Sequence, residues 1–224
     1  MMRQLDSGSL AALAVLALAA CGGASQAEVS PAPVPDPDAG LAAAVAEARA
    51  DSLRYPYTEA DIHFMTGMIS HHAQALVMAG WAPSHGASPA VLRLTERIIN
   101  AQSDEIRLMQ NWLRARHRPV PEPDPAGMKM KMNGGEHTML MPGMLSPEQM
   151  AALDAARGAD FDRLFLQFMI QHHRGAITMV DQLFNSYGAA QDQLVFKFAS
   201  DVNIDQTTEI ERMQRMLVDL LVAP

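Results

Sequence analysis

One stretch of the chain occurs twice, and this internal repeat constrains the fold more than any other feature. Residues 61–78 and 162–179 share, in the same order, an Asp, a Phe, a Met, an Ile, a His-His pair, an Ala and a final Met. A constant offset of 101 residues separates the copies, as His71 and His172 show. Such a repeat indicates one supersecondary unit present twice, and the paired histidines are part of that unit.

The first copy has the periodicity of an amphipathic helix. At 100° per residue, one helical face carries Phe64, Met68, His72 and Ala75. Adjacent histidines on a helix cannot share one direction. One of His71 and His72 is therefore expected to point into the protein, and the other to lie where a neighbouring helix meets it. Periodicity alone leaves open which one points inward.

A second helix in each unit repeats as well, at an offset of 104 residues. Its matching residues are Ile98, Gln102, Glu105, Ile106 and Met109 in the first unit and Val202, Gln206, Glu209, Ile210 and Met213 in the second. The acidic residues are unusual on this apolar face, because a carboxylate is rarely buried unless it is paired or bound to a cation. Glu105 and Glu209 are therefore expected to contact a metal or to hydrogen-bond a liganding His. The alternative is that they reach solvent at a helix seam.

The pattern of each unit predicts a helical hairpin with one apolar stripe. A single hairpin cannot bury this stripe by itself. Two hairpins that close face to face give an all-α fold, a four-helix bundle with a pseudo-twofold axis. The predicted segments are a first hairpin unit (41–117), a Met/Pro-rich crossover linker (118–145) and a second hairpin unit (146–224). The bundle itself is expected to span about residues 55–222.

The linker shows no helical periodicity and is rich in methionine. Its candidate metal ligands are Met128, Met130, Met132, His137, Met139 and Met141. Thioether is a soft ligand, so Met-x-Met runs with a nearby His suit a soft monovalent ion, above all Cu(I). The alternative is an apolar loop that folds over the helices.

The N-terminus has the features of a bacterial lipoprotein signal over residues 1–21. Arg3 precedes an apolar run, residues 10–20, that is too short to span a bilayer as a mature helix. The segment ends Leu-Ala-Ala-Cys, so Cys21 is expected to be lipidated and to anchor the chain to a membrane. The alternative is a chance Cys in a plain signal peptide. Because Cys21 is the only cysteine, an internal disulfide is excluded.

Residues 22–40 are rich in Gly, Ser, Pro and Ala and predict a disordered tether. With the signal segment, they predict a location in the bacterial cell envelope, facing the periplasm, with the outer membrane favoured over the inner. The net charge is −8, and no basic patch with interleaved aromatic residues is present in the sequence. Nucleic acid is therefore not expected as a partner.

Both repeats read Asp-x2-Phe-x3-Met-x2-His-His-x2-Ala-x2-Met, each followed by Gln-x2-Glu-Ile-x2-Met. This pattern resembles the bacterial family described as domain of unknown function 305 (DUF305), over roughly Tyr57 to Leu217. The resemblance implies a ferritin-like four-helix fold and a secreted or periplasmic copper-binding protein linked to copper resistance. It implies as candidate metal ligands Met68, His71, His72, Met78, Met169, His172, His173 and Met179, and with less weight Glu105, Glu209, Met109 and Met213.

Three functions fit these features. The first is an envelope lipoprotein that binds copper, as Cu(I) or Cu(II), for sequestration, resistance or relay, with another transition metal left open. The second is a ferritin-like metalloenzyme, an oxidase or peroxidase. Di-iron bundles use four Glu and two Glu-x-x-His motifs, which these helices lack, although Asp61 and Asp162 are candidate extra oxygen ligands. The third is a structural or partner-binding bundle.

Binding is favoured over catalysis, because no set of nucleophile, base and orienting group stands out in the sequence. The metal ion is the principal expected partner. A copper-handling protein and a second copy of the chain are candidate protein partners.

Overall fold

The computed structural model describes residues 37–54, 57–132 and 135–222 of the chain. The elements in these ranges are α1 (Pro37–Arg54), α2 (Glu59–Gly80), α3 (Pro89–Ala115), β1 (Met128–Met132), β2 (Gly135–Met139), α4 (Pro147–Ala155), α5 (Gly158–Phe184) and α6 (Gln193–Val222). The described part is mostly helical, as predicted. No helix within it is both long and apolar enough to cross a bilayer.

By its contacts the chain divides into Met1–Ala44 and Val45–Pro224, and all elements from α2 onward lie in the second unit. The signal segment, Cys21 and the tether up to residue 36 lie outside the described residues. Residues 37–40, which were expected to belong to the disordered tether, are helical in α1.

Side-chain caps mark the starts of α2, α3 and α4. Thr58 caps α2: its hydroxyl accepts the backbone N–H of Asp61 (3.3 Å), and its own N–H donates to the Asp61 carboxylate (2.6 Å). Ser88 caps α3 ahead of Pro89, and Ser146 caps α4. These caps satisfy N–H groups that have no partner inside a helix, so they define where the helices start.

The two predicted hairpins are present: α2 packs along α3, α5 packs along α6, and α2 also packs against α5. Two repeated carboxylates tie the hairpins together. Asp61 on α2 accepts the N–H of Ala190 ahead of α6 (2.7 Å), and Asp162 on α5 accepts the N–H of Ser88 ahead of α3 (3.1 Å). Each carboxylate therefore holds the turn of the other hairpin and is engaged there rather than left free as an oxygen ligand. Classification of this arrangement as a ferritin-like bundle stays a prediction.

The prediction of an all-α fold is wrong in the linker, where β1 and β2 form an antiparallel pair. Met128 lies opposite Met139, and Met130 lies opposite His137. The cause is visible in the sequence, since Met and Lys alternate along β1. Alternation of apolar and polar residues is the period of a strand with one face buried.

The end of the linker, residues 141–145, lies across α2 and α5, and we call it the strap. On the α2 side, the amide of Gln74 donates to the carbonyl oxygens of Pro125 and Leu145 (both 3.1 Å). Its oxygen also accepts the N–H of Leu145 (2.7 Å). Gln74 is 1% exposed, so these bonds are shielded from water and hold the linker firmly to α2.

On the α5 side, the strap approaches the helix where a glycine leaves room. A Cβ on Gly175 would collide with the carbonyl oxygen of Pro142. Gly143, whose φ of 76° lies in the left-handed region, packs against the same turn of α5. The strap therefore reaches the backbone of α5 close to the second His-His pair.

Buried apolar side chains form two clusters. On α2 the first cluster includes Phe64, Met68 and Ile69, and the second includes Ala75, Met78 and Ala79. On α5 the order is reversed: residues of the second cluster precede the His-His pair, and residues of the first cluster follow it. Both His-His pairs lie between the clusters along their helices. The fold thus encloses a polar layer between two apolar ones.

Candidate metal centre

The four repeated histidines meet in this polar layer, and all four are 0% exposed. The ring centroids of His71 and His172 are 3.8 Å apart across the α2–α5 contact. His72 lies 6.2 Å from His71, and His173 lies 6.3 Å from His172. The rings form a row in the order His72, His71, His172, His173, which we call the histidine row. Its inner members face each other, and its outer members turn toward α3 and α6.

The outer rings are held by the repeated glutamates. Nε2 of His72 donates to Oε2 of Glu105 on α3 (2.7 Å), and Nε2 of His173 donates to Oε2 of Glu209 on α6 (2.8 Å). A carboxylate can only accept, so Nε2 carries the hydrogen in both rings. This leaves Nδ1 as the atom that can offer a lone pair. The expected hydrogen bond between repeated Glu and repeated His is therefore present in both halves.

The inner rings have fewer partners. Nε2 of His71 donates to the carbonyl oxygen of Pro142 in the strap (3.1 Å). Neither ring nitrogen of His172 has a hydrogen-bond partner among the described residues, and the same holds for Nδ1 of His71, His72 and His173. Buried polar atoms are almost always paired. A neutral imidazole has one N–H and one lone pair, so the three Nδ1 atoms and one of the two nitrogens of His172 point to a ligand that accepts a lone pair.

Both inner rings are neutral at neutral pH. Burial lowers the pKa of His71 well below its ordinary value, and His72 and His173 lower it further by charge repulsion. Burial also lowers the pKa of His172, with further lowering from the other three histidines. A neutral imidazole is the form that binds a metal, so both rings are ready to act as ligands.

A groove between α3 and α6 is lined in part by Glu105 and Glu209, the carboxylates bonded to the outer rings. Gln102 and Gln206 also line it; they are 3% and 4% exposed, and Oε1 of each has no partner within the described ranges. Burial raises the pKa of Asp205 in the same groove, and neighbouring carboxylates raise it further. The groove thus contains three carboxylates against the one guanidinium of Arg97, and negative charge concentrated in a cleft attracts cations.

The repeated methionines flank the histidine row on both sides. The first cluster contains Met68, Met109 and Met179, and the second contains Met78, Met169 and Met213. Met68 and Met169 lie three residues before their His-His pairs and so one helical turn away. Met78 and Met179 lie seven residues beyond the first histidine of each pair, about 10 Å along the helix axis. The structure therefore brings the four histidines together and places three repeated methionines in the apolar cluster on each side of them.

The linker candidates divide between the hairpin and the strap. Met128 and Met141 are buried, Met130 is half-buried, His137 and Met139 are exposed, and Met132 ends β1. Cross-strand neighbours on one face of a hairpin are close enough to interact, so Met130 and His137 form one such pair. The linker does fold over the helices, as the apolar-loop alternative expected, but it also exposes an imidazole and a thioether.

Three polar residues near these sites were outside the predicted ligand set. Gln102 and Gln206 belong to the repeated pattern of the second helix, and the structure shows them buried beside the repeated glutamates. His63, at the mouth of a cavity beside the strap, was missed. Its position in the second repeat is Leu164, so the repeat contained no signal for it.

Within the described residues, no three His, Cys, Asp or Glu side chains stand in a geometry that holds a metal by themselves. A metal at the histidine row would therefore add a thioether to the imidazoles or require a side chain to rotate. The unpartnered ring nitrogens fit such an ion, and imidazoles with nearby thioethers are a soft to borderline donor set. This chemistry suits copper better than it suits Mg²⁺ or Ca²⁺.

Comparison with known proteins gave related structures. The family model described as domain of unknown function (DUF305) matches residues 61–217. The chain is similar to a putative secreted DUF305 protein from Streptomyces coelicolor, at 27% identity and a TM-score of 0.60, over 72% of this chain and 93% of that one. It is also similar to CopM in the Cu(II)-bound form (28% identity, TM-score 0.55, 71% of this chain and 96% of that one). For CopM in the Cu(I)-bound form the identity is 27% and the TM-score 0.53, over 73% of this chain and 98% of that one. A comparison with curated proteins found no match.

Proposed function

This chain belongs to the DUF305 family, and on that premise we propose that it is an envelope protein that binds copper at the histidine row. Copper held there would be sequestered or relayed, in support of copper resistance, with no catalytic step. The similarity to CopM in Cu(II)-bound and Cu(I)-bound forms supports the choice of metal. The signal-like N-terminus and the putatively secreted relative support the location, and lipidation of Cys21 is part of the same proposal.

One observation carries the proposal: the fold buries four imidazoles and leaves their Nδ1 atoms without partners. Each unsatisfied buried polar atom costs about 1–3 kcal/mol, so a fold has little reason to keep four of them for packing. A transition metal takes up such lone pairs. The repeated occurrence of the arrangement in both halves makes chance an insufficient explanation.

The residues around the row suit this role. Glu105 and Glu209 hold the outer rings through Nε2, which directs Nδ1 toward a metal and raises the basicity of the ring. Met68 and Met169 are the thioethers one turn away and favour the reduced ion, while imidazole accommodates both oxidation states. Met78 and Met179, further along α2 and α5, would offer positions for a departing ion.

An oxidase or peroxidase of the di-iron type has less support. Such sites depend on several carboxylates around the metals. Asp61 and Asp162 are engaged at the ends of the hairpins, and Glu105 and Glu209 are bonded to histidines. The remaining donors near the row are nitrogen and sulfur, which favours copper binding over oxygen-ligated iron.

The direct test is an anaerobic Cu(I) titration against a chromogenic chelator. The variant His71→Ala/His172→Ala removes the two inner rings and leaves both His–Glu pairs intact. We expect it to lose one Cu(I) equivalent per chain or to bind that equivalent at least about tenfold more weakly, which corresponds to about 1.4 kcal/mol. Circular dichroism checks that the helices are retained.

The matched control is His85→Ala. His85 is also buried, at 5% exposure, but both of its ring nitrogens are bonded, Nδ1 to Ser84 (2.9 Å) and Nε2 to the carbonyl oxygen of Asp154 (2.9 Å). We expect this variant to keep the full Cu(I) stoichiometry. Equal stoichiometry and affinity in the wild type and in the inner-ring variant would overturn the proposal.

A further inference from the structure

A cavity of ≈ 240 Å³ lies where α2, α5 and the linker meet. It is lined by His63 from α2, Met179 from α5, and Met139 and Met141 from the linker. We propose that this cavity is a second metal site, selective for a monovalent soft cation such as Cu(I) or Ag(I), with these four side chains as its ligands. The site needs none of the buried histidines, so it goes beyond the function proposed above.

Two of the thioether side chains end over the same bare turn of α2. Gly67 lies one turn beyond His63 on that helix. A Cβ on Gly67 would be 2.7 Å from the sulfur of Met141 and 3.4 Å from the methyl carbon of Met179. Side chains from the strap and from α5 therefore converge within reach of the turn that carries His63.

The donor chemistry sets the class of ion. One imidazole and three thioethers line the cavity, with the neutral side chains of Gln182 and Ser186 as its other polar groups, and none of the lining residues is Asp or Glu. Thioethers favour Cu(I) and related soft ions, whereas hard divalent ions require oxygen ligands. This cavity therefore differs from the groove between α3 and α6, where carboxylates and amides dominate.

Exposure distinguishes a binding site from ordinary packing. Methionine often fills gaps in a core, and that explains Met141 and Met179, which are 4% and 5% exposed. It does not explain Met139, which is 39% exposed beside the exposed His63. An open imidazole and an open thioether at the mouth, with two buried thioethers behind them, let a cation enter from solvent and lose its water in steps.

The arrangement is not a by-product of the internal repeat. In the second unit, Leu164 stands at the position of His63 and Phe168 at the position of Gly67. The linker, which supplies Met139 and Met141, has no second copy. The chain has therefore built these donors into one half only, next to the strap whose Pro142 accepts a hydrogen bond from His71.

The first test is the variant His63→Gln/Met139→Leu/Met141→Leu, titrated anaerobically with Cu(I) against a chromogenic chelator. Leu nearly conserves the volume of Met, so folding should persist. We expect one Cu(I) equivalent per chain to be lost. The control Met150→Leu/Met216→Leu removes two half-buried thioethers packed against the second cluster, and it should keep the wild-type stoichiometry. Full stoichiometry in the cavity variant would overturn the proposal.

The second test follows the methionine methyl groups by NMR as Ag(I) is added to methyl-labelled protein. We expect the signals of Met139, Met141 and Met179 to shift in the wild type and equally in the His71→Ala/His172→Ala variant. If they shift in both, the cavity binds the ion whatever the fate of the histidine row. Unchanged signals of these three methyl groups at saturating Ag(I) would rule the cavity out, and the result at the histidine row would stand separately.

Discussion

The Nε2 atoms of His71, His72 and His173 each meet an oxygen that can only accept a hydrogen, a backbone carbonyl or a carboxylate. Because the partner oxygen can only accept, Nε2 must carry the hydrogen, and the other ring nitrogen keeps its lone pair. In all three rings the free atom is Nδ1, and it is buried. At the scale of single residues, the chemistry of the site therefore follows from the identity of three acceptors.

The sequence repeat predicts the histidines and glutamates of this site but not the acceptor on His71. The carbonyl of Pro142 lies 71 positions away along the chain, in a linker that does not repeat. The same reason explains why His63 was missed, since neither periodicity nor duplication marks it. The repeat marks the histidines and glutamates in the sequence, whereas the contacts of the linker with the helices join residues remote along the chain and could not be found from it.

Metal-free protein should lose stability as the pH falls below about 6.5. The pKa values of His71 and His172 are lowered in the folded state, so the unfolded chain takes up protons first. Stability is then complete above the unfolded pKa and declines below it by up to about 1.4 kcal/mol per pH unit for each ring. The groups that face these two rings are His72 and His173, with Glu105 and Glu209 behind them.

Urea unfolding at about pH 7.5 and about pH 5.5, with a chelator present, measures this effect. The variant His71→Gln/His172→Gln keeps polar side chains in the layer but removes both titrating groups. It should show a smaller difference between the two pH values than the wild type. An equal pH dependence in both proteins would contradict the assignment of buried neutral rings.

At the scale of elements, the duplicated helices α2 and α5 contact the linker in different ways. Gln74 on α2 and Gly175 on α5 occupy equivalent positions of the repeat. Gln74 binds the linker through hydrogen bonds. Gly175 has no side chain, so the strap can lie against the helix backbone there. The duplicated helices have thus diverged where the unrepeated linker docks. Alternating Met and Lys in the linker could have predicted β1, but its docking site depends on contacts remote in sequence.

The variant Gly175→Ala tests this docking. The new methyl group would collide with the carbonyl of Pro142, so we expect a loss of stability of about 1–3 kcal/mol. The matched control is Gly80→Ala, also helical, where a Cβ would meet nothing within 4 Å. Because Ala favours the helix, the control should be neutral or more stable by up to about 1 kcal/mol. Equal unfolding midpoints for the two variants would show that the strap does not press on α5.

At the scale of the whole molecule, the duplicated halves meet at the histidine row, and the linker adds chemistry to one side only. Each repeated methionine of the first cluster has its equivalent in the second cluster. The equivalent pairs are Met68 and Met169, Met109 and Met213, and Met179 and Met78. Only the first cluster also contains buried methionines of the linker, Met128, Met141 and Met144. The buried histidine row is therefore symmetric between the two halves, whereas its surroundings are not, because the linker methionines pack on one side only. Hairpins and their pairing could be predicted from the repeat, because each has one apolar stripe to bury.

The most direct measurement is anomalous X-ray diffraction from crystals of the Cu(I)-loaded protein, collected on either side of the copper edge. We predict a copper peak within bonding distance of Nδ1 atoms of the histidine row, with Glu105 and Glu209 still bonded to the outer rings. Copper found only at surface positions, with the four buried rings unchanged and unligated, would contradict the central claim.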